Sequence, residues 1–344
     1  MAIINKPSEH FETSLYTGTG SSLSISSLDF SPDLTWIKGR SGATEHVLTD
    51  SVRGVTKEIS SNDDGAEETV AQGLTAFNSD GFTVGTDGSY NTSSATYASW
   101  NFKAGGSAST NEVGSIDSSV SVNTTSGFSI ITWTGNGTSG ATLGHGLGVK
   151  PSMIISKNRD ASDNWFCYHK TLGATKYIRL NITNPEGSAT SIWNDTEPTT
   201  SVFSVGNDTA VNSSGVDYVA YCFADVQGYS KIGSYIGNGS ADGTFVYTGF
   251  KPAFVIYKKS SGTENWFIHD NKRQGFNPDN ELLFPDLSNA EGTVNRIDLL
   301  SNGFKATTSD GGINASGATY IYMAFAEQPF TTSTTNGSIP ATAR

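Results

Sequence analysis

One strand-like segment occurs in three similar copies along the chain, and this repetition constrains the fold more than any other feature. Ala-Thr-Tyr-Ala-Ser-Trp-Asn-Phe (95–102) aligns without a gap with Val-Asp-Tyr-Val-Ala-Tyr-Cys-Phe (216–223) and Ala-Thr-Tyr-Ile-Tyr-Met-Ala-Phe (318–325). Their final phenylalanines are separated by 121 and 102 residues. Repetition at such a period indicates a tandem or stacked scaffold in which each copy is one structural unit.

Two further landmarks recur in the same order. An aromatic residue followed by a Gly-x-Gly turn stands at 16–20, 133–137 and 235–239, and a proline-led apolar strand stands at 32–38, 151–157 and 252–258. Three landmarks in a fixed order predict three copies of one unit. The predicted divisions are an N-terminal arm (1–12), a first unit (13–104), a Gly/Ser/Thr-rich linker (105–127), a second unit (128–226), a third unit (227–328) and a C-terminal tail (329–344).

Residue alternation predicts that the units are built from strands. In the first copy Ala98, Trp100 and Phe102 share one face of the repeated segment, and period two is the signature of a strand buried on at least one side. No window of a dozen residues shows a convincing helical period. The 38 glycines and the charged fraction of 16% suit short strands joined by tight turns. We therefore predict an all-β fold of tandem β-sandwich units, of jelly-roll or concanavalin-like type, from three internal repeats.

Bulk properties exclude several classes of partner. A net charge of −12 repels a phosphate backbone, so nucleic acid is not an expected partner. No apolar run is long enough to span a bilayer, and the first residues carry no secretory signal pattern, so neither membrane insertion nor export is expected. Cys167 and Cys222 each lie inside an apolar strand, where a reduced thiol behaves as a small hydrophobic group.

Motifs that carry catalysis are not recognisable, and we predict no enzyme, no catalytic residues and no bound cofactor. The dinucleotide-like spacing at 135–140 precedes no helix and predicts a turn. The five histidines lack metal-ligand spacing and are expected at the surface or at strand ends; they are His10, His46, His145, His169 and His269. Calcium (Ca2+) remains an alternative at the Asx-rich segments 62–65, 207–208 and 309–311, where ordinary turns are the favoured interpretation.

The six tryptophans are the remaining candidates for ligand binding. Trp36, Trp100 and Trp133 fall on repeat landmarks where other copies carry other apolar residues, which indicates core positions. Trp165 and Trp266 form an equivalent pair beside polar turns, and Trp193 has no counterpart. An exposed tryptophan beside Asn and Asp can stack on a sugar ring, so Trp165, Trp193 and Trp266 are candidate glycan-binding residues. Core packing is the favoured interpretation for Trp165 and Trp266, and it is an equal alternative to glycan binding for Trp193.

Segments spread over the three units resemble a known family. These segments are 32–40 (Pro-Asp-Leu-Thr-Trp-Ile-Lys-Gly-Arg), 46–54, 78–85, 97–102, 218–223, 233–239 and 320–327. With them the chain resembles bacteriophage virion proteins common in marine phages, which are labelled tail-fibre-like or concanavalin A-like lectin/glucanase-like. The resemblance implies a structural, surface-exposed virion component, and it supplies no catalytic residues to carry over.

These observations together predict a non-enzymatic structural protein of a bacteriophage virion, in a tail fibre or tail appendage that takes part in host adsorption. A capsid-surface decoration protein (head fibre or cement) is one alternative, and a glycan-binding or glycan-cleaving module is another. The expected partners are other proteins of the tail or capsid, further copies of the chain in a homotrimer, and a host surface glycan. The expected location is the virion surface, after assembly in the host cytoplasm.

Overall fold

The computed structural model describes residues 4–273, 277, 279–329, 331–334 and 337–340. The protein is nearly all β, with 45% of its residues in strands and 5% in helices. The strands form antiparallel sheets that pack face to face, which confirms the predicted all-β class with sandwich-like units.

The first unit consists of one main sheet and one small sheet. Its elements are a 3-10 helix (Pro7–Glu9), β1 (Phe11–Thr17), β2 (Leu23–Ile25), β3 (Leu34–Gly39), β4 (His46–Asp50), β5 (Lys57–Ser60), β6 (Glu68–Thr69), β7 (Leu74–Asn78), β8 (Gly81–Val84), α1 (Gly88–Asn91) and β9 (Thr96–Phe102). The main sheet has the order β1-β9-β3-β4-β5-β6, and the small sheet has the order β2-β8-β7.

The second unit repeats this plan with an extended main sheet. Its elements are β10 (Ser109–Asn111), β11 (Ser118–Asn123), β12 (Phe128–Thr134), β13 (Ala141–Gly144), β14 (Met153–Asn158), β15 (Phe166–His169), β16 (Ile178–Arg179), α2 (Thr190–Trp193), β17 (Val202–Val205), α3 (Thr209–Asn212) and β18 (Asp217–Phe223). The main sheet has the order β10-β11-β12-β18-β14-β15-β16, and β13 pairs with β17. The interval 105–127, predicted as a linker, therefore contains β10 and β11, and these strands extend the main sheet beyond β12.

The third unit has a four-stranded main sheet and a four-stranded small sheet. Its elements, with those of the C-terminal segment, are β19 (Ser230–Ile236), β20 (Phe245–Tyr247), β21 (Phe250–Lys259), β22 (Trp266–Asp270), β23 (Asp279–Leu282), β24 (Gly292–Leu300), β25 (Gly303–Ala306), β26 (Thr319–Pro329), β27 (Thr331–Thr334) and β28 (Gly337–Pro340). The main sheet has the order β19-β26-β21-β22, the small sheet has the order β20-β25-β24-β23, and β27 pairs with β28.

Each closing strand of the repeat lies near the centre of a main sheet: β9 between β1 and β3, β18 between β12 and β14, and β26 between β19 and β21. One face of each main sheet packs on the small sheet of its own unit, and the other face packs on a core shared by all three units. Alternate residues of each closing strand thus point into two different cores, the shared core and the core of the strand's own unit.

The last phenylalanines of the three closing strands meet inside the shared core. The ring centroids of Phe102 and Phe223 are 5.7 Å apart, those of Phe102 and Phe325 are 5.3 Å apart, and those of Phe223 and Phe325 are 6.0 Å apart. Burial of one such side chain stabilises the fold by roughly 1.5–3 kcal/mol. The residue that marks the end of each repeat is therefore a contact point between the units.

Backbone hydrogen bonds connect the units in a closed ring. The amide of Glu67 in the first unit donates to the carbonyl of Arg159 in the second (2.7 Å), and the amide of Glu186 in the second donates to Ser260 in the third (3.0 Å). The amide of Glu291 in the third unit donates to the carbonyl of Arg40 in the first, at 2.9 Å. A loop of each unit thus contacts the next unit, and a loop of the third unit contacts the first.

The Gly-x-Gly turns are structural, as the sequence predicts. A Cβ on Gly135 would lie 2.3 Å from the carbonyl oxygen of Ser213, and Gly137 has a φ of +72°, so each glycine is required for a separate reason. The buried side chain of Asn212 holds the turn, because its Oδ1 accepts from the amide of Asn136 at 3.0 Å. Strand β13 follows, so the phosphate-binding context of a dinucleotide motif does not form.

Candidate functional site

The three candidate glycan-binding tryptophans are buried, so the glycan-binding interpretation is wrong for them, and the core packing favoured for Trp165 and Trp266 is confirmed. Trp165, Trp193 and Trp266 are 0%, 2% and 1% exposed. The indole N–H of Trp165 donates to the carbonyl of Ser60 in the first unit, and that of Trp266 donates to the carbonyl of Arg179 in the second, both at 2.8 Å. These two tryptophans join neighbouring units, and Trp193 packs inside the second unit.

Four of the five histidines are also fully buried, so a surface location is wrong for His46, His145, His169 and His269. The predicted strand-end location is confirmed for His46, which begins β4, and for His169, which ends β15. His46 is paired with Lys38 across two strands, and Trp266 is paired with the equivalent Lys258. His46 is therefore the first unit's counterpart of the tryptophan that joins two units. Its Nδ1 accepts from the indole N–H of Trp36 at 3.0 Å. Burial lowers the pKa of His46 well below its ordinary value, and it lowers the pKa of His169 to about 4, so both rings are neutral structural groups near pH 7.

Two buried ion-pair networks bring carboxylates together at unit boundaries. In one, Asp50 accepts from Arg53 at 2.5 Å and from the hydroxyl of Tyr221 at 2.8 Å. In the other, Asp270 accepts from Arg273 at 2.7 Å and from the indole N–H of Trp100 at 3.0 Å. Because guanidinium, hydroxyl and indole donors occupy these carboxylate oxygens, the networks hold the units together and present no free acid or base pair to a substrate.

The Asx-rich segments considered for calcium cap their own turns. Asp63 accepts from the amide of Gly65 at 2.9 Å, Asp208 accepts from the amide of Ala210 at 3.1 Å, and Asp310 accepts from the amide of Gly312 at 2.8 Å. Within the described residues, no group of three or more His, Cys, Asp or Glu side chains is arranged to hold a metal ion.

One small cavity of about 110 Å³ is lined by acidic side chains, those of Glu45, Glu58, Asp63 and Glu68. Burial raises the pKa of Glu58 to about 7. A carboxyl group that is about half protonated at pH 7 is a weaker ligand for a hard cation than a fully ionised one, because such ions bind the ionised form.

An exposed pair of aromatic rings distinguishes the third unit, and we call it the aromatic face. It comprises Phe245 and Tyr247 on β20, with Gly303, Lys305 and Asp298 on the adjoining strands of the small sheet. Phe245 and Tyr247 are 43% and 60% exposed, whereas Val246 between them is buried. Strand alternation explains this pattern, because Val246 points into the core of the third unit and its two neighbours point away from it.

Both rings of the aromatic face lie beside glycines. A Cβ placed on Gly303 would lie 3.1 Å from Cε2 of Phe245, and a Cβ on Gly249 would lie 3.6 Å from the hydroxyl oxygen of Tyr247. A side chain at Gly303 would crowd the ring of Phe245, whereas a Cβ at Gly249 would be in ordinary van der Waals contact with Tyr247. Gly303 therefore leaves room for the ring of Phe245, and both rings keep a large exposed fraction.

The other two units carry small residues at the matching positions. Val246 pairs with Phe304, Leu143 pairs with Phe203, and Ile25 pairs with Phe82, which sets the three small sheets in one register. In that register Phe245 corresponds to Thr142 and Ser24, and Tyr247 corresponds to Gly144. The fold therefore forms without aromatic rings at these positions, and their presence in one unit indicates a role other than packing.

Charged groups lie next to the rings on the same sheet. Lys305 stands opposite Phe245 in the strand register, and Asp298 stands opposite Lys305 on the next strand. Lys305 also forms an ion pair with the exposed side chain of Asp242. The face thus combines apolar ring surfaces with hydrogen-bond donors and acceptors, as binding sites for polar molecules commonly do.

Comparison with known proteins places this chain in a family. A family model described as "Domain of unknown function (DUF7483)" matches residues 6–329. The chain belongs to this family. No curated protein matches the chain, and no solved structure matches it. The DUF7483 match covers all three main sheets and the aromatic face. Among the described residues of the DUF7483 chain, no helix is long and apolar enough to cross a membrane.

The aromatic face was missed by sequence reasoning because aromatic residues in strands usually indicate a core. The available signal was a comparison of outward positions between repeats, where Ser24 and Thr142 stand in place of Phe245. Tryptophan content was a poor guide, because the tryptophans fill cores and the boundaries between units.

Proposed function

We propose that this DUF7483 chain is a non-enzymatic structural protein of the bacteriophage virion surface, carried on a tail appendage, where it contributes to host adsorption. The observation that carries the proposal is the aromatic face, which exposes two rings in one unit where the other units have Ser, Thr or Gly. An exposed apolar patch edged by polar groups is typical of a recognition surface.

The scaffold suits display of such a surface. Because the three main sheets share one core and the loops form a closed ring, the third unit is fixed relative to the other two. A site on a rigid scaffold loses little conformational entropy when it binds. The resemblance to tail-fibre-like virion proteins agrees with this role.

Self-association as a homotrimer is part of the proposal, and its geometry is restricted. The ring of loop contacts closes within one chain, so other copies would have to bind through surfaces outside it. Mass photometry of the purified protein should give a trimer mass, and a single population at the mass of one chain would contradict this part.

Labelling of intact particles tests the location. Gold-conjugated antibodies raised against the purified chain should label the tail end of intact virions by electron microscopy. Label on the head would contradict the tail location and favour a capsid decoration protein. Unlabelled particles from a lysate that contains the chain would contradict both locations.

Competition for adsorption tests the role of the aromatic face. Purified wild-type protein added in excess should slow phage adsorption, whereas a Phe245→Thr/Tyr247→Thr variant should not. Val55→Thr is the matched control, because Val55 is an exposed apolar residue of the first unit (39% exposed) far from β20 in the sequence. Equal inhibition by all three proteins would remove the aromatic face from the proposal.

A further inference from the structure

We propose that the aromatic face binds a neutral oligosaccharide, so that Phe245 and Tyr247 form a stacking platform for sugar rings. This inference rests on the proposed function and names the ligand class of its site. Phe245 and Tyr247 are 43% and 60% exposed, and Gly303 leaves room beside the ring of Phe245. An exposed flat ring can stack on the C–H face of a pyranose, and the neighbouring polar groups can bind its hydroxyls.

The spacing of the rings sets the length of the ligand. Phe245 and Tyr247 are alternate residues of β20, so their backbones lie about 6.6–6.8 Å apart along the strand. One ligand contacts both rings only if it extends along β20. A disaccharide or a longer chain meets this condition, and a single hexose stacked on one ring does not.

The size of the aromatic face argues against a large protein partner. An aromatic side chain presents roughly 150–250 Å², so the exposed parts of these two rings together supply on the order of 200 Å². A stable protein interface needs about 800 Å² from each partner. The rings therefore suffice for a small ligand and fall well short of a second copy of the chain.

Charge selects a neutral ligand over an acidic one. Lys305 is the cation opposite Phe245, and it already pairs with Asp242, while Asp298 lies on its other side. The chain as a whole carries a net charge of −12. A polyanion would meet unfavourable electrostatics here, whereas sugar hydroxyls can both donate to these carboxylates and accept from the lysine.

Isothermal titration calorimetry of the full chain tests the inference. The probes are linear hexasaccharides of glucose, mannose and galactose, with hexagalacturonate as the acidic counterpart of equal length. We expect at least one neutral hexasaccharide to bind, hexagalacturonate to bind more weakly, and Phe245→Thr or Tyr247→Thr to weaken binding about tenfold each through lost contact area. Val55→Thr should bind as the wild type does. Unchanged circular dichroism and melting temperature show that the variants fold.

Several results would overturn the inference. These are no binding of any neutral probe, tighter binding of the uronate, and equal binding by the wild type and both face variants. A monomer–dimer equilibrium in analytical ultracentrifugation that the face variants abolish would make the face a self-association surface instead.

The two proposals can fail separately. If adsorption competition depends on the aromatic face but no neutral sugar binds, the ligand class is wrong and the proposed function stands. If a neutral sugar binds but virions do not carry the chain, the proposed function is wrong and the sugar site stands.

Discussion

At the scale of single residues, Asp286 is a buried carboxyl group at a position where the other two units have asparagine. Its Oδ1 accepts from the amide of Trp266 at 3.0 Å, as Oδ1 of Asn181 accepts from Trp165 at 3.1 Å and Oδ1 of Asn62 accepts from His46 at 2.7 Å. Burial raises the pKa of Asp286 to about 7. The second unit and the first unit place an amide where the third places a carboxyl group.

We predict that Asp286→Asn stabilises the protein above pH 7. The pKa of Asp286 is about 7 in the folded protein against an ordinary value of 3.8, so the folded state binds more protons between these values. The free energy of unfolding therefore falls as pH rises from about 4 to 7. Replacement of the carboxylate by an amide should raise the free energy of unfolding by on the order of 3 kcal/mol at pH 8 and change it little at pH 4.

Urea unfolding at pH 4 and pH 8 measures this effect. The matched control is Asn181→Asp, which should destabilise the protein at pH 8 more than at pH 4. Equal stability of Asp286→Asn and the wild type at pH 8 would show that burial does not raise the pKa of Asp286.

Tyr221→Asp should be among the most damaging single changes. Tyr221 is 1% exposed, and its hydroxyl donates to Asp50 at 2.8 Å while Arg53 donates to it at 3.2 Å. An aspartate here would place a second carboxylate beside Asp50 and leave a cavity, so we expect a loss of about 4 kcal/mol or more. Tyr221→Phe should cost roughly 1–2 kcal/mol. A melting temperature of Tyr221→Asp within a degree or two of wild type would refute this assignment.

Three equivalent lysines should make stability depend on alkaline pH. Lys38, Lys157 and Lys258 are buried, their ammonium groups donate to backbone carbonyls, and burial lowers the pKa of each to about 8. Above pH 8 the folded state binds fewer protons than the unfolded state, whose lysines keep the ordinary pKa of 10.5. The free energy of unfolding should therefore rise between pH 8 and pH 10.

Tyrosine ionisation sets the upper limit of this window. Burial raises the pKa of Tyr221 and Tyr235 well above the ordinary value of 10.0, so stability should fall again once unfolded tyrosines ionise. Guanidinium unfolding at pH 7.5, 8.5 and 9.5 measures the slope. A decline across these three values would contradict the lysine assignment.

At the scale of elements, the glycines of the repeated turns should resist substitution. Gly135→Ala would place a Cβ 2.3 Å from the carbonyl oxygen of Ser213, so the turn before β13 would have to shift. We expect a loss of about 2–3 kcal/mol in the free energy of unfolding. Gly42→Ala is the control, because nothing lies within 4 Å of its added Cβ. Similar melting temperatures for the two variants would contradict this account of the turn.

The sequence was informative about elements wherever local chemistry decided the structure. The closing strands and the Gly-x-Gly turns were predictable, because alternation and glycine placement act over a few residues. Strands β10 and β11 were not, because the interval 105–127 is rich in Gly, Ser and Thr, and its strands form by pairing onto the free edge of β12. Pairing between distant segments leaves little trace in local composition.

At the scale of the whole molecule, the ring of units could not be read from the sequence. In each inter-unit contact the amide of a glutamate donates to the residue two positions after a repeated lysine, but the two partners lie in different units and nothing in the local sequence pairs them. One tryptophan position is also filled by His46 in the first unit. Burial of Trp165 and Trp266 follows from this arrangement, because each donates a hydrogen bond to the neighbouring unit, whereas Trp193 is buried in the core of the second unit itself. The candidate site was unpredictable for the opposite reason, since its rings look like core residues until the three small sheets are set in one register.

The most direct test of the account is a cryo-EM map of the intact virion. We predict three-lobed density for this chain on a tail appendage, with β20 of the third unit facing outward so that Phe245 and Tyr247 remain accessible. Density with β20 buried against another virion protein, or no density for the chain on the particle, would contradict the claim that the aromatic face is displayed for host contact.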